Sequence, residues 1–258
     1  METVIDKEWD ILILLDACRY DYFKRVNPYH GVLTQFDQGC IGTKQYMQMN
    51  FQNRDCSNIV FINHLISFKK WLDERSFYKV IYVDKVYWDN NFGAVFPEPI
   101  TKVALEAIKK YPTKRFVVHY QQPHLPFLDR GREIVKLRTK KEIEYTNNII
   151  GAIAKYLNRM KNIFPPIPFW YLEKLFGKNA GIGEIFFDEG WDGLKKSYTY
   201  NINRVLKAVE EIVKLKNKKI VITSDHGKVI GEYLQFSHGF WKHKLVTTVP
   251  WFEVGNDN

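Results

Sequence analysis

Two short apolar runs in this sequence end in residues that could bind a cation. Residues 219–227 read KIVITSDHG, a run rich in β-branched residues that stops at Asp225 and His226, and residues 10–16 read DILILLD, which ends at Asp16. Runs of this kind are typical of buried strands, and α/β proteins bind ligands at the carboxyl ends of their parallel strands. Uncompensated carboxylates there would be costly to bury, so the two strand ends together predict a metal ion between them.

A turn with two glycines, QGCIGT at residues 38–43, offers a hydroxyl group to the same site. We predict that Thr43 is the N-cap of the helix that follows, where the helix dipole favours an anion. Asp16, Thr43, Asp225 and His226 form a mixed oxygen and nitrogen set suited to Zn²⁺, Mn²⁺ or a similar divalent ion. A metal on the Thr43 oxygen would ease its deprotonation, and the nucleophile so formed would suit phosphorus or sulfur esters.

Most of these residues also have a purely structural interpretation. A lone aspartate at a strand end, such as Asp16, is more often a helix cap than a ligand, and a threonine N-cap is more common than a threonine nucleophile. The adjacent pair Asp225 and His226 has fewer explanations of that kind. Cys40 is either a small structural residue or a rival nucleophile.

The rest of the chain alternates between strand and helix patterns, which predicts an α/β fold with a mostly parallel sheet and helices on both faces. We expect one domain over residues 1–258, with a helical insertion or lid at residues 129–193, a stretch too long for an ordinary connection. Pro123 and Pro126 should end the strand before them, and Pro250 should break the last strand at a sheet edge. Further strands are predicted at residues 32–36, 59–62, 79–83, 115–120 and 246–254, and helices at residues 17–26, 65–74, 99–111, 140–161 and 194–215.

The composition of the chain indicates the charge of its substrate and the compartment in which it works. The net charge of +9 over 258 residues favours an anionic substrate, whereas nucleic acid stays an open partner that no motif indicates. The three cysteines are odd in number and lack zinc-binding spacing, which indicates a reducing compartment. We find no secretory signal and no apolar run of the roughly 18 residues that a membrane span needs, so we expect a cytoplasmic protein without a membrane span.

Several stretches of the sequence, taken together and in order, resemble the alkaline phosphatase superfamily. The similarity is to its sulfatase-like hydrolase/transferase branch, which includes lipoteichoic acid synthases and phosphoethanolamine transferases, and it extends over nearly the whole chain. The stretches are DILILLDACRYD at 10–21, QGCIGT at 38–43, HYQQPHLPF at 119–127, TSDHG at 223–227, GE at 231–232, HG at 238–239 and VPW at 249–251.

The resemblance implies a metal centre and a covalent mechanism. A metal ion would be held by Asp16, Thr43, Asp225 and His226. Thr43 would attack the substrate and form a covalent phosphothreonine. The expected cofactor is therefore a divalent metal, Zn²⁺ or Mn²⁺, as one ion or as two.

The resemblance also implies residues that contact the substrate. His124 and His238 would hold the oxygens of the transferring group or serve the leaving group, since an imidazole can donate a hydrogen bond or a proton near neutral pH. Lys44 and His119 complete the expected substrate-binding set. In the structural interpretation, His124 is a turn residue between prolines, His238 is a surface residue and Lys44 is a solvated lysine.

Two departures from the family pattern narrow the prediction. Sulfatases proper carry a Cys or Ser in the context C/S-x-P/A-x-R, whereas Cys40 is followed by Ile-Gly-Thr-Lys, which disfavours ordinary sulfate ester cleavage. The sequence also lacks the Asp-x-x-x-His pair of the dinuclear members. We therefore expect one metal ion, with His119, His124, His238 or His243 available for a second.

These observations predict a metal-dependent hydrolase or phosphotransferase that acts on a phosphoester, either a monoester or a diester, through Thr43. Two alternatives stay open. One is a sulfate ester hydrolase, and the other is a non-catalytic adaptor that keeps the fold.

Overall fold

The structure is a computed structural model that describes residues 3–64, 66–130, 181–234, 236–238 and 242–255. Its strands all lie within these residues. In chain order they are β1 (Ile11–Asp16), β2 (Gly31–Asp37), β3 (Cys56–Asn63), β4 (Phe77–Tyr82), β5 (Trp88–Asp89), β6 (Ala94–Val95), β7 (Arg115–Pro123), β8 (Ile220–Ser224), β9 (Val229–Ile230), β10 (Phe236–Ser237) and β11 (Thr248–Val254). A seven-stranded sheet has the order β2-β11-β8-β1-β7-β3-β4. Within it β11 runs antiparallel to both neighbours and the other pairs are parallel. The predicted mostly parallel α/β fold is confirmed.

The helices of the described residues connect these strands. They are α1 (Tyr20–Val26), α2 (Thr43–Phe51), α3 (Asp84–Tyr87), α4 (Pro97–Lys110), α5 (Gly181–Ala208), α6 (Glu210–Val213) and α7 (Lys244–Thr247), with short 3₁₀ turns at Val4–Asp6, Ile66–Lys70, Glu74–Ser76 and Glu232–Leu234. Within the described segments, every helix is too short or too polar to cross a bilayer.

The side chains of β1 show why helices cover both faces of the sheet. Ile11, Ile13 and Leu15 belong to a core that includes α1, α4 and α5, whereas Leu12 and Leu14 belong to a second core that includes α2. Successive residues of a strand point to opposite faces, so a run that is apolar at every position must be buried on both. Each fully buried aliphatic side chain contributes about 1.5–3 kcal/mol to the free energy of folding. Because β1 contributes such side chains to both cores, it is the centre of the fold.

The strand pairing tests the two proline predictions. β7 ends at a proline, as predicted, but it runs three residues beyond the predicted end at residue 120, whereas the prediction for Pro250 is wrong. β7 continues to Pro123, because the register between β1 and β7 shifts after Leu15 so that Asp16 pairs with Pro123. β11 is neither broken nor at an edge, since it lies between β2 and β8. Its pairing with β8 covers only Trp251 to Glu253, so the missing N–H of Pro250 does not interrupt that ladder.

Two helix predictions also need correction. Thr43 is the first residue of α2 and not its N-cap, which is Gly42 with an extended backbone (φ −179°). The helix predicted over residues 65–74 is replaced by 3₁₀ turns at Ile66–Lys70 and Glu74–Ser76. The helix predicted over residues 194–215 is found as α5 and α6.

The helical insertion predicted at residues 129–193 falls mostly on residues 131–180, which lie outside the described residues, as does the helix predicted at residues 140–161. At the C-terminal end of the prediction, α5 already begins at Gly181. Gly190 in this helix has φ 66° and ψ −157°, which bends the chain before Leu194. The domain boundaries therefore stay a prediction.

Candidate active site

The ends of β1 and β8 bring three predicted ligands to one edge of the sheet. Asp16 is the last residue of β1, and Asp225 and His226 directly follow β8. The two strands are parallel neighbours in which Leu15 pairs with Ser224. Their carboxyl ends therefore meet at the same place, as the sequence predicts.

Asp16, Asp225 and His226 lie close enough to share one ion. His226 Nε2 is 3.5 Å from Asp16 Oδ1 and 3.5 Å from Asp225 Oδ2. One ligand atom from each residue lies within 4.8 Å of the other two. Asp16 is 7% exposed and the other two residues are fully buried, so water from the bulk does not screen these groups.

The atoms that face one another in this cluster lack hydrogen-bond partners. Among the residues that the structure describes, none bonds to Asp16 Oδ1, Asp225 Oδ2 or His226 Nε2. The opposite atoms are held: Asp225 Oδ1 accepts from the amides of Ala17 (3.0 Å) and His226 (2.8 Å), and His226 Nδ1 is 2.7 Å from the Gly227 carbonyl oxygen. A carbonyl can only accept, so Nδ1 carries a proton and, in the neutral ring, the Nε2 lone pair faces two carboxylate oxygens. A charge-assisted hydrogen bond would be about 2.7–2.9 Å, so the spacing suits a cation better than a proton.

Burial and charge act together on Asp16. Burial raises the pKa of Asp16 well above its usual value, and the neighbouring Asp225 raises it further. A divalent cation between the two carboxylates would oppose both effects. Two carboxylates and one imidazole are ligands that Zn²⁺ and Mn²⁺ accept, so the residues present fit the metal ion that the sequence predicts.

The turn after β1 is built by contacts with β8 and α5. Ala17 has φ 63°, a conformation that residues other than glycine rarely adopt. The Tyr198 hydroxyl donates to the Ala17 carbonyl at 2.6 Å, and Ser224 Oγ accepts from the Cys18 amide at 2.7 Å. Backbone strain of this kind persists only where surrounding contacts enforce it, and it is concentrated at functional sites.

Gly227 allows the chain after Asp225 to pass close to another segment. A Cβ atom at this position would overlap the carbonyl oxygen of Leu245. The Gly227 amide donates to the Val246 carbonyl at 2.6 Å. A glycine is therefore required at this position of the DHG motif by close packing. The same contacts fix the path of the chain after β8 and so the position of His226.

The turn before Thr43 packs against the end of β8. The Gln38 amide donates to the Thr247 carbonyl at 3.0 Å, and the Gln38 side chain donates to the Ser224 carbonyl. A Cβ atom on Gly42 would lie 4.0 Å from His238 Nδ1. Thr43 is partly exposed and begins α2 beside this turn, with the free backbone amides of a helix N-terminus next to it.

His124 and His238 are brought together next to His226. The His238 ring stacks on His226 with centroids 4.3 Å apart, and His238 Nε2 is 3.2 Å from His124 Nε2. The His124 amide donates to the Asp16 carbonyl at 3.0 Å, which ties the loop after β7 to the end of β1. Burial is the largest of the effects that lower the pKa of both imidazoles, so each ring is neutral at neutral pH.

Lys228 is a residue at this edge that sequence reasoning missed. It is 3% exposed, and its ammonium group lies 4.2 Å from the Phe236 ring centroid. Burial lowers the pKa of Lys228 to about 7, and the negative charge of Asp16 partly opposes that shift. Its position three residues after Asp225, in the loop that leaves the predicted strand, was the available signal.

His64 and His119 lie on the side of β1 away from β8. His64, like Lys228, is a residue that sequence reasoning missed. One ligand atom each from Asp16, His64 and His119 lies within 4.8 Å of the others. His64 directly follows β3, and His119 lies within β7 opposite Leu14. His64 ends an apolar run, as Asp16 does, and this shared pattern could have found it.

Comparison with known proteins identifies the fold. No protein-family profile matches the chain, and no curated protein does. Among solved structures, the chain is similar to the integral membrane lipooligosaccharide phosphoethanolamine transferase EptA of Neisseria meningitidis (13% identity, TM-score 0.57, 94% of this chain and 47% of that one). It is also similar to the periplasmic domain of phosphoethanolamine transferase EptC of Campylobacter jejuni (13%, 0.52, 96% and 78%) and to a candidate sulfatase of Bacteroides thetaiotaomicron (14%, 0.55, 96% and 65%). The chain therefore has the fold of these proteins, which we call the sulfatase-like fold.

The sulfatase-like fold confirms the resemblance that the motifs indicate. At 13–14% identity the likeness shows the fold alone, and this chain spans about half the length of EptA, 47% of it. EptA is an integral membrane protein and the EptC structure is of a periplasmic domain, so the comparisons give the predicted cytoplasmic location no support.

Three other candidate residues have surroundings that differ from those of the buried cluster. Lys44 is exposed on the first turn of α2. His243 caps α7, where its Nδ1 accepts from the Leu245 amide at 3.1 Å. Cys40 is buried, and burial raises the pKa of its thiol to about 12, so it is a weak nucleophile at neutral pH. The structure therefore favours the structural interpretation of Cys40.

Proposed function

We propose that this protein is a metal-dependent phosphoester hydrolase or phosphotransferase with Thr43 as its nucleophile. The observation that carries the proposal is the buried cluster of Asp16, Asp225 and His226, whose inward-facing atoms have no hydrogen-bond partners within the described residues. The sulfatase-like fold supports the class of reaction, since its solved relatives are named as phosphoethanolamine transferases and a candidate sulfatase.

In this proposal Asp16, Asp225, His226 and the Thr43 hydroxyl hold one divalent ion, Zn²⁺ or Mn²⁺. When bound, such an ion lowers the pKa of a hydroxyl ligand and offsets negative charge on phosphoryl oxygens. Thr43 is suited to this role because it lies at the N-terminus of a nine-residue helix, α2, where backbone amides favour an anion.

The first chemical step transfers the phosphoryl group to the protein. A bond forms between Thr43 Oγ1 and phosphorus, and the bond from phosphorus to the oxygen of the leaving alcohol breaks. The threonine proton passes to a neutral imidazole of the His238 and His124 pair, and from there to the leaving oxygen. The contact of 3.2 Å between their Nε2 atoms gives the proton a path within the pair.

The second step releases the group from Thr43. Water or an acceptor alcohol attacks the phosphothreonine, the bond from phosphorus to Thr43 Oγ1 breaks, and the threonine regains a proton through the same imidazoles. Water gives a hydrolase and an alcohol gives a transferase. The two activities share every residue named here, so an acceptor must be varied to separate them.

The substrate of this proposal is an anionic ester. The chain carries a net charge of +9, which attracts phosphoester anions. The exposed Lys44 is proposed to add to that attraction, with His119 beside the transferring group. A sulfate ester is the second candidate, because one relative by fold is a candidate sulfatase. The absence of the C/S-x-P/A-x-R motif in the sequence disfavours it.

The proposal is tested with variants of Thr43 and a set of nitrophenyl phosphate monoesters, phosphate diesters and sulfate esters, in Zn²⁺ or Mn²⁺. Thr43→Ala should lose activity by about 10³-fold or more, whereas Thr43→Ser should keep it within about tenfold because it retains a hydroxyl. Thr34→Ala is the matched control, since Thr34 is an exposed threonine in the middle of the edge strand β2, which lies three strands away from β1 in the sheet.

Acid-quenched samples analysed by mass spectrometry should show a phosphoryl group on the peptide that contains Thr43. Activity of Thr43→Ala equal to that of the unmodified protein would refute the nucleophile. A folded, metal-loaded protein that turns over none of the esters would favour the adaptor alternative.

A further inference from the structure

Two buried histidines lie on the side of β1 away from β8. His64 directly follows β3 and is 2% exposed, and His119 lies within β7 and is fully buried. Their ring centroids are 4.4 Å apart. β3 and β7 are parallel neighbours, so the sheet itself holds the two imidazoles together.

Within the described segments, three of the four ring nitrogens in this pair have no hydrogen bond to another residue. Both nitrogens of His64 and Nε2 of His119 are buried with no bond to any residue in the described segments. A buried polar group left without a partner costs about 1–3 kcal/mol. Three such groups side by side are unusual for a packed core, where buried polar atoms nearly always find a partner.

The remaining nitrogen sets the tautomer of His119. Its Nδ1 lies 3.3 Å from Asn63 Oδ1, which can only accept a hydrogen bond. Nδ1 therefore carries the proton and Nε2 presents a lone pair. A histidine whose second nitrogen is held by an oxygen acceptor is the usual arrangement at a metal ion, because the acceptor fixes the tautomer and the ring orientation.

Asp16 supplies the third ligand of this group. One ligand atom each from Asp16, His64 and His119 lies within 4.8 Å of the others. Burial is the main cause that lowers the pKa of both imidazoles, to about 3 for His64, so both rings are neutral and able to bind a metal. Two imidazoles and a carboxylate form a common ligand set for Zn²⁺, with a further position for water or substrate.

We propose that Asp16, His64 and His119 bind a second divalent metal ion, of which Zn²⁺ is the best fit, at a site that shares Asp16 with the first. The proposal rests on the proposed function, because Asp16 would be a ligand of both ions. The ligand set itself does not depend on Thr43, on the substrate or on which ester is cleaved. It replaces our expectation of a single metal ion.

The test measures metal content in the full chain. The protein is loaded with Zn²⁺, freed of unbound metal and analysed by elemental mass spectrometry, with expected contents of about two ions per chain, and about one for His64→Ala. His30→Ala is the matched control, because His30 is exposed and its carbonyl bonds to Gly255 away from the site; it should keep the full content. Loading with Co²⁺ should give visible absorption that partly disappears in His64→Ala.

The outcomes separate this proposal from the proposed function. A content of about one ion that His64→Ala does not change would overturn the second site and leave the first in place, whereas no bound ion would remove both. Loss of all metal from a folded His64→Ala protein would also overturn a separable second site. If circular dichroism shows that His64→Ala is unfolded, His64→Gln and His119→Gln keep the side-chain volume and carry the same expectation.

Discussion

Two groups of buried charges lie at the same edge of the sheet and differ in how the charges are paired. In the first group, Arg19 is 4% exposed and forms ion pairs with Asp21 at 2.8 Å and Glu232 at 2.7 Å. Its guanidinium also donates to the Lys228 carbonyl at 3.4 Å. The buried charge of Arg19 is thus satisfied within the protein.

The second group is formed by Asp16, Asp225 and His226, and its facing atoms have no such partners within the described residues. The facing carboxylate oxygens and imidazole nitrogen are unpartnered among the described residues, although Arg19 follows Asp16 by only three positions. A buried charge at this edge can therefore have partners within the protein, as that of Arg19 does. What distinguishes the second group is that its free atoms converge on one point, which is the arrangement of a ligand site and not of a structural ion pair.

The largest expected effect in this comparison comes from Asp225→Asn. The new side chain can still accept from the Ala17 and His226 amides through its oxygen, but it loses the charge that a cation needs. Activity should fall by about 10³-fold or more, which corresponds to about 4 kcal/mol. Ester turnover and metal content measured on the same sample check this, and normal turnover by a metal-free variant would contradict it.

A smaller effect is expected on stability when the paired group is broken. Arg19→Met should lower the free energy of unfolding in urea by about 1–2 kcal/mol, at the low end for a buried pair because water reaches Asp21 and Glu232. Arg25→Met is the control, since Arg25 bonds to Asp21 at the surface with 64% exposure, and it should change stability by less than about 0.5 kcal/mol. Equal effects of the two variants would remove the distinction.

The unpaired group should respond in the opposite direction once metal is removed by a chelator. Asp16→Asn removes one of two facing negative charges, so it should raise the unfolding free energy of the metal-free protein by about 1 kcal/mol or leave it unchanged. Urea titrations of both proteins in chelator measure this. A loss as large as that of Arg19→Met would show that Asp16 is a structural residue.

The smallest expected effect is that of Lys44→Ala. Because Lys44 is exposed, its charge is screened, and removing it should raise KM about threefold at low salt and have no effect at high salt. The value of kcat should not change. Ester kinetics at two ionic strengths check this, and a large loss of kcat would place Lys44 in direct contact with the reacting group.

The sequence predicts the parts of this site that have a local signal. Asp16, Asp225 and His226 were found because each follows an apolar run, and a strand that ends in polar residues can be recognised without knowing its neighbours. The α/β class follows from the alternation of strands and helices in the same way. The fold comparisons confirm both the class and the resemblance.

Other features depend on which strands are neighbours, and a single sequence does not contain that information. His64 approaches Asp16 only because β3 lies beside β7 and β7 beside β1. Pro250 was misjudged because its effect depends on which residues of β11 pair with β8. The position of Lys228 just after Asp225 indicates the site, but its burial does not follow from the sequence, since it arises from contacts such as that with Phe236.

The central claim is that Asp16, Asp225 and His226 enclose a metal ion. It is tested most directly by X-ray diffraction from crystals grown with Zn²⁺, with anomalous data collected at the zinc absorption edge. We expect an anomalous peak within about 2.0–2.2 Å of a carboxylate oxygen of each aspartate and of His226 Nε2. No peak at that position, with His226 Nε2 hydrogen-bonded to a carboxylate instead, would contradict the account.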